Sequence, residues 1–379
     1  METGLYIHVP FCVRKCEYCD FPSAAGQLSF REAYIGAVCD EIHRQAALCK
    51  NRRFGSIFFG GGTPSLLSPG EVETLLDAAS RELSILPDAE ITMEMNPGTV
   101  TRETLSGYRK AGVNRCSLGI QSLEDRLLRE IGRIHSAAQA EEAVHLARSA
   151  GFENLNMDLM TGLPGQHLQD LEHTLKRALS LHPEHLSVYS LIVEEGTPLS
   201  RRTPLMLPEE EEMEEMDALL TSALAQAGLA RYEVSNYARP GRECRHNLLY
   251  WECGPYLGVG PAAHSDLDGR FQNPSRLGDW LAGSPAMKEG DCTPAARRYE
   301  RLMMGVRMVR GMDRIRFTRD FGQVPEAFWP QTLQKCRELG LIRNGEDRLA
   351  LTPRGMDVMN PVLIWAMEEQ DAKEEKGEA

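Results

Sequence analysis

The sequence predicts an α/β fold: a partial TIM-like (β/α)6 barrel followed by a small, mostly helical, winged-helix-like C-terminal domain. Three observations predict it. Up to Leu191, six short apolar runs alternate with helix-period segments, which is the pattern of parallel βαβ units. Six units fall two short of the eight that close a full barrel. From Pro294 a helical pattern returns and ends in a short strand-like piece, 348–352, that reads as a wing.

The strand candidates are 5–9, 56–59, 90–95, 115–120, 155–160 and 185–191. Helix candidates lie between them at 30–49, 69–83, 102–111, 123–131 with 137–150, and 168–180. Ser68-Pro69 opens one of these, and Gly112 and Gly151 close two others. The acidic run 209–217 reads as the solvated first turns of a helix, with Met213, Met216, Leu219, Leu220, Ala223 and Leu224 as its apolar face. The barrel core is thus expected over 1–230. Residues 231–293, rich in Gly, Pro and aromatics, show little periodicity and read as an irregular segment. The helical C-terminal domain is expected over 294–366, including a helix at 335–341. The charged tail 367–379 is expected to be disordered.

The totals narrow the function classes. With 379 residues and 42% hydrophobic content, the chain can bury one large domain and one small one. Its net charge of −13 argues against nucleic acid as the main partner, because phosphate binding needs a basic footprint. No apolar run reaches the ~18 residues of a membrane span. The N-terminus runs straight into a strand-like segment, without the basic head and apolar stretch of a secretory signal, so a cytoplasmic protein is expected.

Three of the ten cysteines cluster at Cys12, Cys16 and Cys19, directly after the first strand candidate. In a chain without an export signal, such a cluster reads as metal-binding rather than as disulfides. Spacings of three and then two residues let thiolates curl around one corner-sharing cluster and hold three irons. The next cysteine, Cys39, falls inside a helix pattern. A ferredoxin closes its cluster with a fourth Cys and structural zinc wants four protein ligands, so a [4Fe-4S] cluster with one open iron fits better. Gly60-Gly61-Gly62-Thr63-Pro64 follows the second strand candidate, and consecutive glycines let backbone approach a ligand. Glu94, Gln121 and Asp158 lie at the ends of the next three strand candidates. Each could be a turn residue, but together they converge on one barrel mouth.

Cys-x3-Cys-x2-Cys with an aromatic before the last Cys resembles the radical SAM superfamily. The resemblance implies that S-adenosylmethionine (SAM) chelates the open iron. It also implies that one electron from the cluster can break the S–C5′ bond. From Tyr6 to about Pro361 the chain is similar to the oxygen-independent coproporphyrinogen oxidase branch. That resemblance implies SAM contacts at Tyr6, Gly61, Gly62, Thr63, Glu94, Gln121, Arg133 and Asp158, and contacts to a second SAM at Tyr18 and Ile192. Glu94 and Asp158 suit an ammonium or ribose hydroxyls, and Arg133 suits a carboxylate through its planar fork.

Two features depart from the oxidase. Phe21 stands where the oxidase has a further Cys, and only five residues precede Tyr6 where the oxidase has a long extension. His246-Asn247-Leu248-Leu249-Tyr250-Trp251 fits an HNxxYW signature, so the chain resembles the HemW-type heme chaperones of the same branch. This implies that heme is bound and transferred, without coproporphyrinogen oxidase activity. The implied partners are heme, heme-acceptor proteins, an electron donor for the cluster and, as an assembly, a homodimer. From the residues alone, His246 could be a heme ligand beside Tyr250 and Trp251, or it could hydrogen-bond a loop with Trp251 in the core. Cys244 and Cys253 form no heme-attachment pattern, and His8, His135, His167 and His264 read as structural or surface residues. The competing class is a radical SAM enzyme, either an anaerobic coproporphyrinogen III dehydrogenase or a radical methyltransferase.

Overall fold

The computed structural model describes residues 2–267, 269–288, 290, 293–343 and 345–375. Its contacts divide the chain into two compact units. The first comprises Met1–Ala230, Ser235–His246 and Pro255–Glu289, and the second comprises Arg231–Val234, Asn247–Gly254 and Gly290–Ala379.

In the first unit all six expected strands form: β1 (Thr3–Val9), β2 (Arg53–Gly61), β3 (Ser84–Met95), β4 (Arg115–Gln121), β5 (Leu155–Thr161) and β6 (His185–Ser190). They pair in parallel in chain order. The crossover helices are α1 (Arg31–Gln45), α2 (Pro69–Glu82), α3 (Arg102–Ala111), α4 (Asp125–Glu130) with α5 (Ala137–Ser149), and α6 (Leu168–Ser180). The acidic run begins α7 (Glu210–Gln226), which buries Met216, Leu220 and Leu224. Capping boxes start three helices: Ser68 with Glu71 on α2, Thr101 with Thr104 on α3, and Ser136 with Gln139 on α5. Each side-chain pair satisfies backbone N–H groups that the helix itself cannot.

The segment expected to be irregular supplies further strands. β7 (Asn236–Ala238) adds antiparallel to β6. β8 (Tyr256–Val259) lies parallel on the other side of β1, as a seventh parallel strand. β9 (His264–Asp266), β10 (Arg270–Gln272) and β11 (Met287–Lys288) extend that edge antiparallel. These strands have two to four residues each and are separated by Gly and Pro, too short to show a period in the sequence.

Alternation along the strands separates two environments. Leu5, Ile7 and Val9 join the hydrophobic core with residues of α1 and α2. The intervening residues face the barrel interior, where register brings Tyr6, Phe58, Thr92 and Arg115 into one row and Glu94, Ser117, Asn156 and His185 into another. Glu90, Arg115, Ser117, Asn156 and His185 are all buried. Such an interior is stable only if its polar atoms find partners. Asn156 provides several: its Nδ2 donates to Ser117 Oγ and to Asp158 Oδ1, both at 2.8 Å, while its Oδ1 accepts from His185 Nδ1 at 2.6 Å.

Buried histidines make the fold acid-sensitive. Burial first, and a nearby arginine second, push His135 down to about 4 and His246 down to about 3. The unfolded chain takes up protons at these side chains below pH 6.5, whereas the folded chain does not until those lower values. Each therefore removes stability as pH falls through that window, by about 2 kcal/mol at pH 5. Urea unfolding at pH 7 and pH 5 measures this loss. A His135→Gln variant should lose less between the two pH values, and an equal loss would remove His135 as a source.

The second unit contains α8's C-terminal part (helix Arg245–Trp251), α9 (Pro294–Gly305), α10 (Arg314–Phe321), α11 (Pro325–Phe328), α12 (Pro330–Glu338), α13 (Pro353–Asp357) and α14 (Met359–Glu375). The strands β12 (Met312–Asp313) and β13 (Arg348–Leu349) pair as the expected wing. Trp329, Phe317, Leu302, Leu333 and Leu363 form its core. The tail expected to be disordered from residue 367 is instead helical to Glu375, and residues 376–379 lie outside the described residues. Tertiary contacts overrule its charged composition. Glu369 accepts from the backbone N–H groups of Gln331 and Thr332, and Lys373 Nζ donates to the carbonyls of Ala327 and Phe328.

Candidate functional site

At the C-terminal ends of the parallel strands lies a cavity of about 380 Å³. Cys12, Cys16 and Cys19 line it, as do Tyr18, Gly61, Gly62, Thr63, Glu94, Gln121, Arg133 and Asp158. The structure thus gathers eleven of the fourteen residues expected at the site.

Backbone pairing hangs the cysteine loop on the glycine loop. Gly62 N–H donates to Val9 O and Thr63 N–H to Phe11 O, both at 2.7 Å. A Cβ on Gly62 would stand 2.6 Å from Phe11 O and 2.9 Å from Pro10 O, so only glycine permits this approach. Gly62→Ala is expected to cost about 1–3 kcal/mol. A urea midpoint equal to wild type would show that the two loops can separate freely. All three thiols are free. Cys19 N–H bonds back to Cys16 O at 3.3 Å, closing a turn. Thr63 Oγ1 donates to Cys12 Sγ at 3.6 Å and Arg133 Nη1 to Cys16 Sγ at 3.5 Å.

Among the described residues no three His, Cys, Asp or Glu side chains are gathered tightly enough for a single metal ion. A cubane cluster takes each thiolate on a different iron and so needs a wider spread. Three thiols lining one cavity suit that chemistry.

The cavity also carries two carboxyl groups, Glu94 and Asp158. Burial, and then the Asp158 charge, push Glu94 up to about 8, against the opposing N–H of Gly61, which donates to Glu94 Oε2 at 3.2 Å. Burial also raises Asp158, opposed by the donors Asn156, Ser187 and Ser117. Arg133 is a site residue rather than a surface one. Its Nη2 donates to Gly119 O, and although burial opposes its charge, Tyr18, Cys16 and Asp158 hold it protonated. A bulge between Gly119 and Gln121 re-aims Gln121 into the cavity, leaving it at φ 67°. Carboxylates and a guanidinium lining one cavity match a zwitterionic ligand.

Three expected residues lie elsewhere. Tyr6 is half-buried behind the wall, and its OH donates to His8 Nδ1 at 3.1 Å. His8 Nε2–H in turn donates to Pro22 O at 2.8 Å, which fixes the neutral tautomer and makes His8 a brace of the cysteine loop. Ile192 is 68% exposed and does not line the cavity. His246 is 1% exposed inside the barrel. Its Nδ1 meets Ser56 Oγ at 2.8 Å, its backbone N–H donates to Glu90, and its ring stacks 5.2 Å from Phe58. The imidazole is thereby enclosed, with hydrogen-bonded and stacked partners on the barrel strands. Tyr250 and Trp251 belong to the other unit, where the Arg307 guanidinium lies 6.0 Å over the Trp251 ring.

The cavity also has lining residues that the sequence reading missed: Met95, Asn96, Met160 and Tyr189. Each stands at or next to the end of a strand, so the rule that found Glu94 would have found them.

Comparison with known proteins agrees with this architecture. A model of the radical SAM superfamily matches residues 6–178, and one described as the HemN C-terminal domain matches residues 292–358. The chain is 36% identical over 368 residues to a heme chaperone HemW of Escherichia coli (strain K12), covering 95% of this chain and 97% of that one. With the heme chaperone HemW of Bacillus subtilis (strain 168), identity is 37% over 368 residues, covering 94% and 97%. The solved structure of coproporphyrinogen III oxidase (HemN) from Escherichia coli, a radical SAM enzyme, superposes with a TM-score of 0.84. That match is 22% identical and covers 96% of this chain and 90% of the other, which speaks to fold alone.

Proposed function

Because this chain belongs to the HemW family of radical SAM proteins, we propose that it is a heme chaperone that binds a [4Fe-4S] cluster, SAM and heme and passes heme to acceptor proteins. The observation that carries the SAM part is the cavity, lined by three free thiols together with Glu94, Asp158 and Arg133. Cys12, Cys16 and Cys19 hold the cluster. Arg133 takes the SAM carboxylate, Glu94 and Asp158 its ammonium or ribose, and Gly61, Gly62 and Thr63 its close backbone contact. When bound, such a cluster supplies one electron for cleaving a sulfonium S–C bond.

Proteins named heme chaperones, related over nearly the full length, support the heme part. Phe21, at the cavity where the oxidase branch carries a further Cys, supports a chaperone over an oxidase. Cys12, Cys16, Cys19, Cys39, Cys116 and Cys336 are free thiols, which suits a reducing compartment such as the cytoplasm. Among the described residues no helix is long and apolar enough to cross a membrane. The test is anaerobic: reconstituted protein is titrated with hemin and, separately, incubated with coproporphyrinogen III, SAM and reductant. Stoichiometric heme binding without decarboxylation supports the chaperone. Turnover of coproporphyrinogen III without heme binding overturns it.

A further inference from the structure

The second unit holds a cavity of about 330 Å³ that the proposed function does not use. Arg298, Phe321, Gln323, Phe328, Gln370 and Lys373 line it, and no carboxylate does. The Arg298 guanidinium lies 4.4 Å over the Phe328 ring, and its Nε is buried without a hydrogen-bond partner. Among the described residues no acid pairs with Arg298 or with Lys373. Lys373 is held in place by its bonds to Ala327 O at 3.2 Å and Phe328 O at 2.7 Å, which leaves one N–H of its ammonium for the cavity. Gln370 Oε1 is likewise buried without a donor, and turning that amide over would aim its N–H groups inward.

Two cations without acids are unexpected in a chain of net charge −13. Desolvated guanidinium N–H groups are costly until an anion meets them, and a planar fork favours a carboxylate held by two bonds. The rings of Phe321 and Phe328 ask for a flat apolar body attached to that carboxylate. A ligand of this class is amphiphilic: planar, apolar and carboxylate-bearing. We propose that this cavity binds the propionate edge of heme, an inference that rests on the heme-chaperone reading. No thiol, imidazole or thioether lines the cavity, so the site reads the carboxylates and leaves the iron to other ligands.

The full chain is titrated with hemin and with hemin dimethyl ester, in which both carboxylates are masked. Wild type should bind hemin about tenfold more tightly than the ester. Arg298→Gln and Lys373→Gln should each lose most of that preference by weakening hemin alone, read beside circular dichroism because Lys373 also bonds Ala327 O and Phe328 O. Equal wild-type affinity for hemin and ester overturns the proposal whether or not the variants fold. Variants that keep the full preference, or that lose hemin and ester equally, also overturn it. If wild type binds neither compound, the heme-chaperone reading itself fails.

Discussion

Replacing Cys12, Cys16 and Cys19 together by Ala should remove iron and acid-labile sulfide from anaerobically reconstituted protein, from near four of each per chain to near none. The three thiols line the cavity at the mouth, while Cys116, Cys244 and Cys336 are buried elsewhere. The triple variant should still fold. Cys12 is the only one of the three that is buried, and the loop is carried by backbone bonds from Gly62 and Thr63 that survive the change. Iron and sulfide assays, read beside circular dichroism, decide the matter. A folded triple variant with a full cluster would assign the ligands to other cysteines.

Glu94→Ala or Asp158→Ala should weaken SAM binding while the cluster remains. Loss of a charge-assisted hydrogen bond removes ~1.5–3 kcal/mol, or roughly tenfold to a hundredfold in affinity. Glu94 adds a pH signature. With its carboxyl pushed up to about 8, it is largely protonated at pH 7 before a cationic ligand arrives. Binding favours the carboxylate, so a proton leaves, and affinity rises as pH climbs from 7 through about 8. Calorimetry in buffers of different ionisation enthalpy counts that proton. Glu94→Gln should release fewer protons than wild type. Identical proton release in the two proteins would take Glu94 out of the ligand's charge contacts, and unchanged affinity in both alanine variants would take the pair out of the site.

The barrel was legible because its strands are six to twelve residues long, enough to carry an apolar run. Glu94, Gln121 and Asp158 were found by position at strand ends, and Cys12 and Gly61 by their cysteine and glycine motifs as well. Arg133 was not decidable by position, since it follows a helix and only the fold turns it toward Gly119 and Cys16. The enclosure of His246 was not decidable for a related reason. An aromatic-rich stretch looks like a cofactor slot, but burial against Phe58 and Ser56 depends on register between segments 190 residues apart. β8 to β11 were invisible because strands of two to four residues carry no period. The helical tail was hidden because the partners of Glu369 and Lys373 lie far back in the chain.

The capping boxes on α2, α3 and α5 have a consequence for charge at the mouth. In a β/α barrel every helix starts at the end where the strands finish, so helix ends with unpaired N–H groups would make the rim attractive to any anion. Here Ser68 and Glu71, Thr101 and Thr104, and Ser136 and Gln139 occupy those groups. At these three helices the rim is thereby less open to stray phosphate and carboxylate. Of the cations that line the cavity, Arg133 is seated next to the thiols and can act on a ligand placed against them.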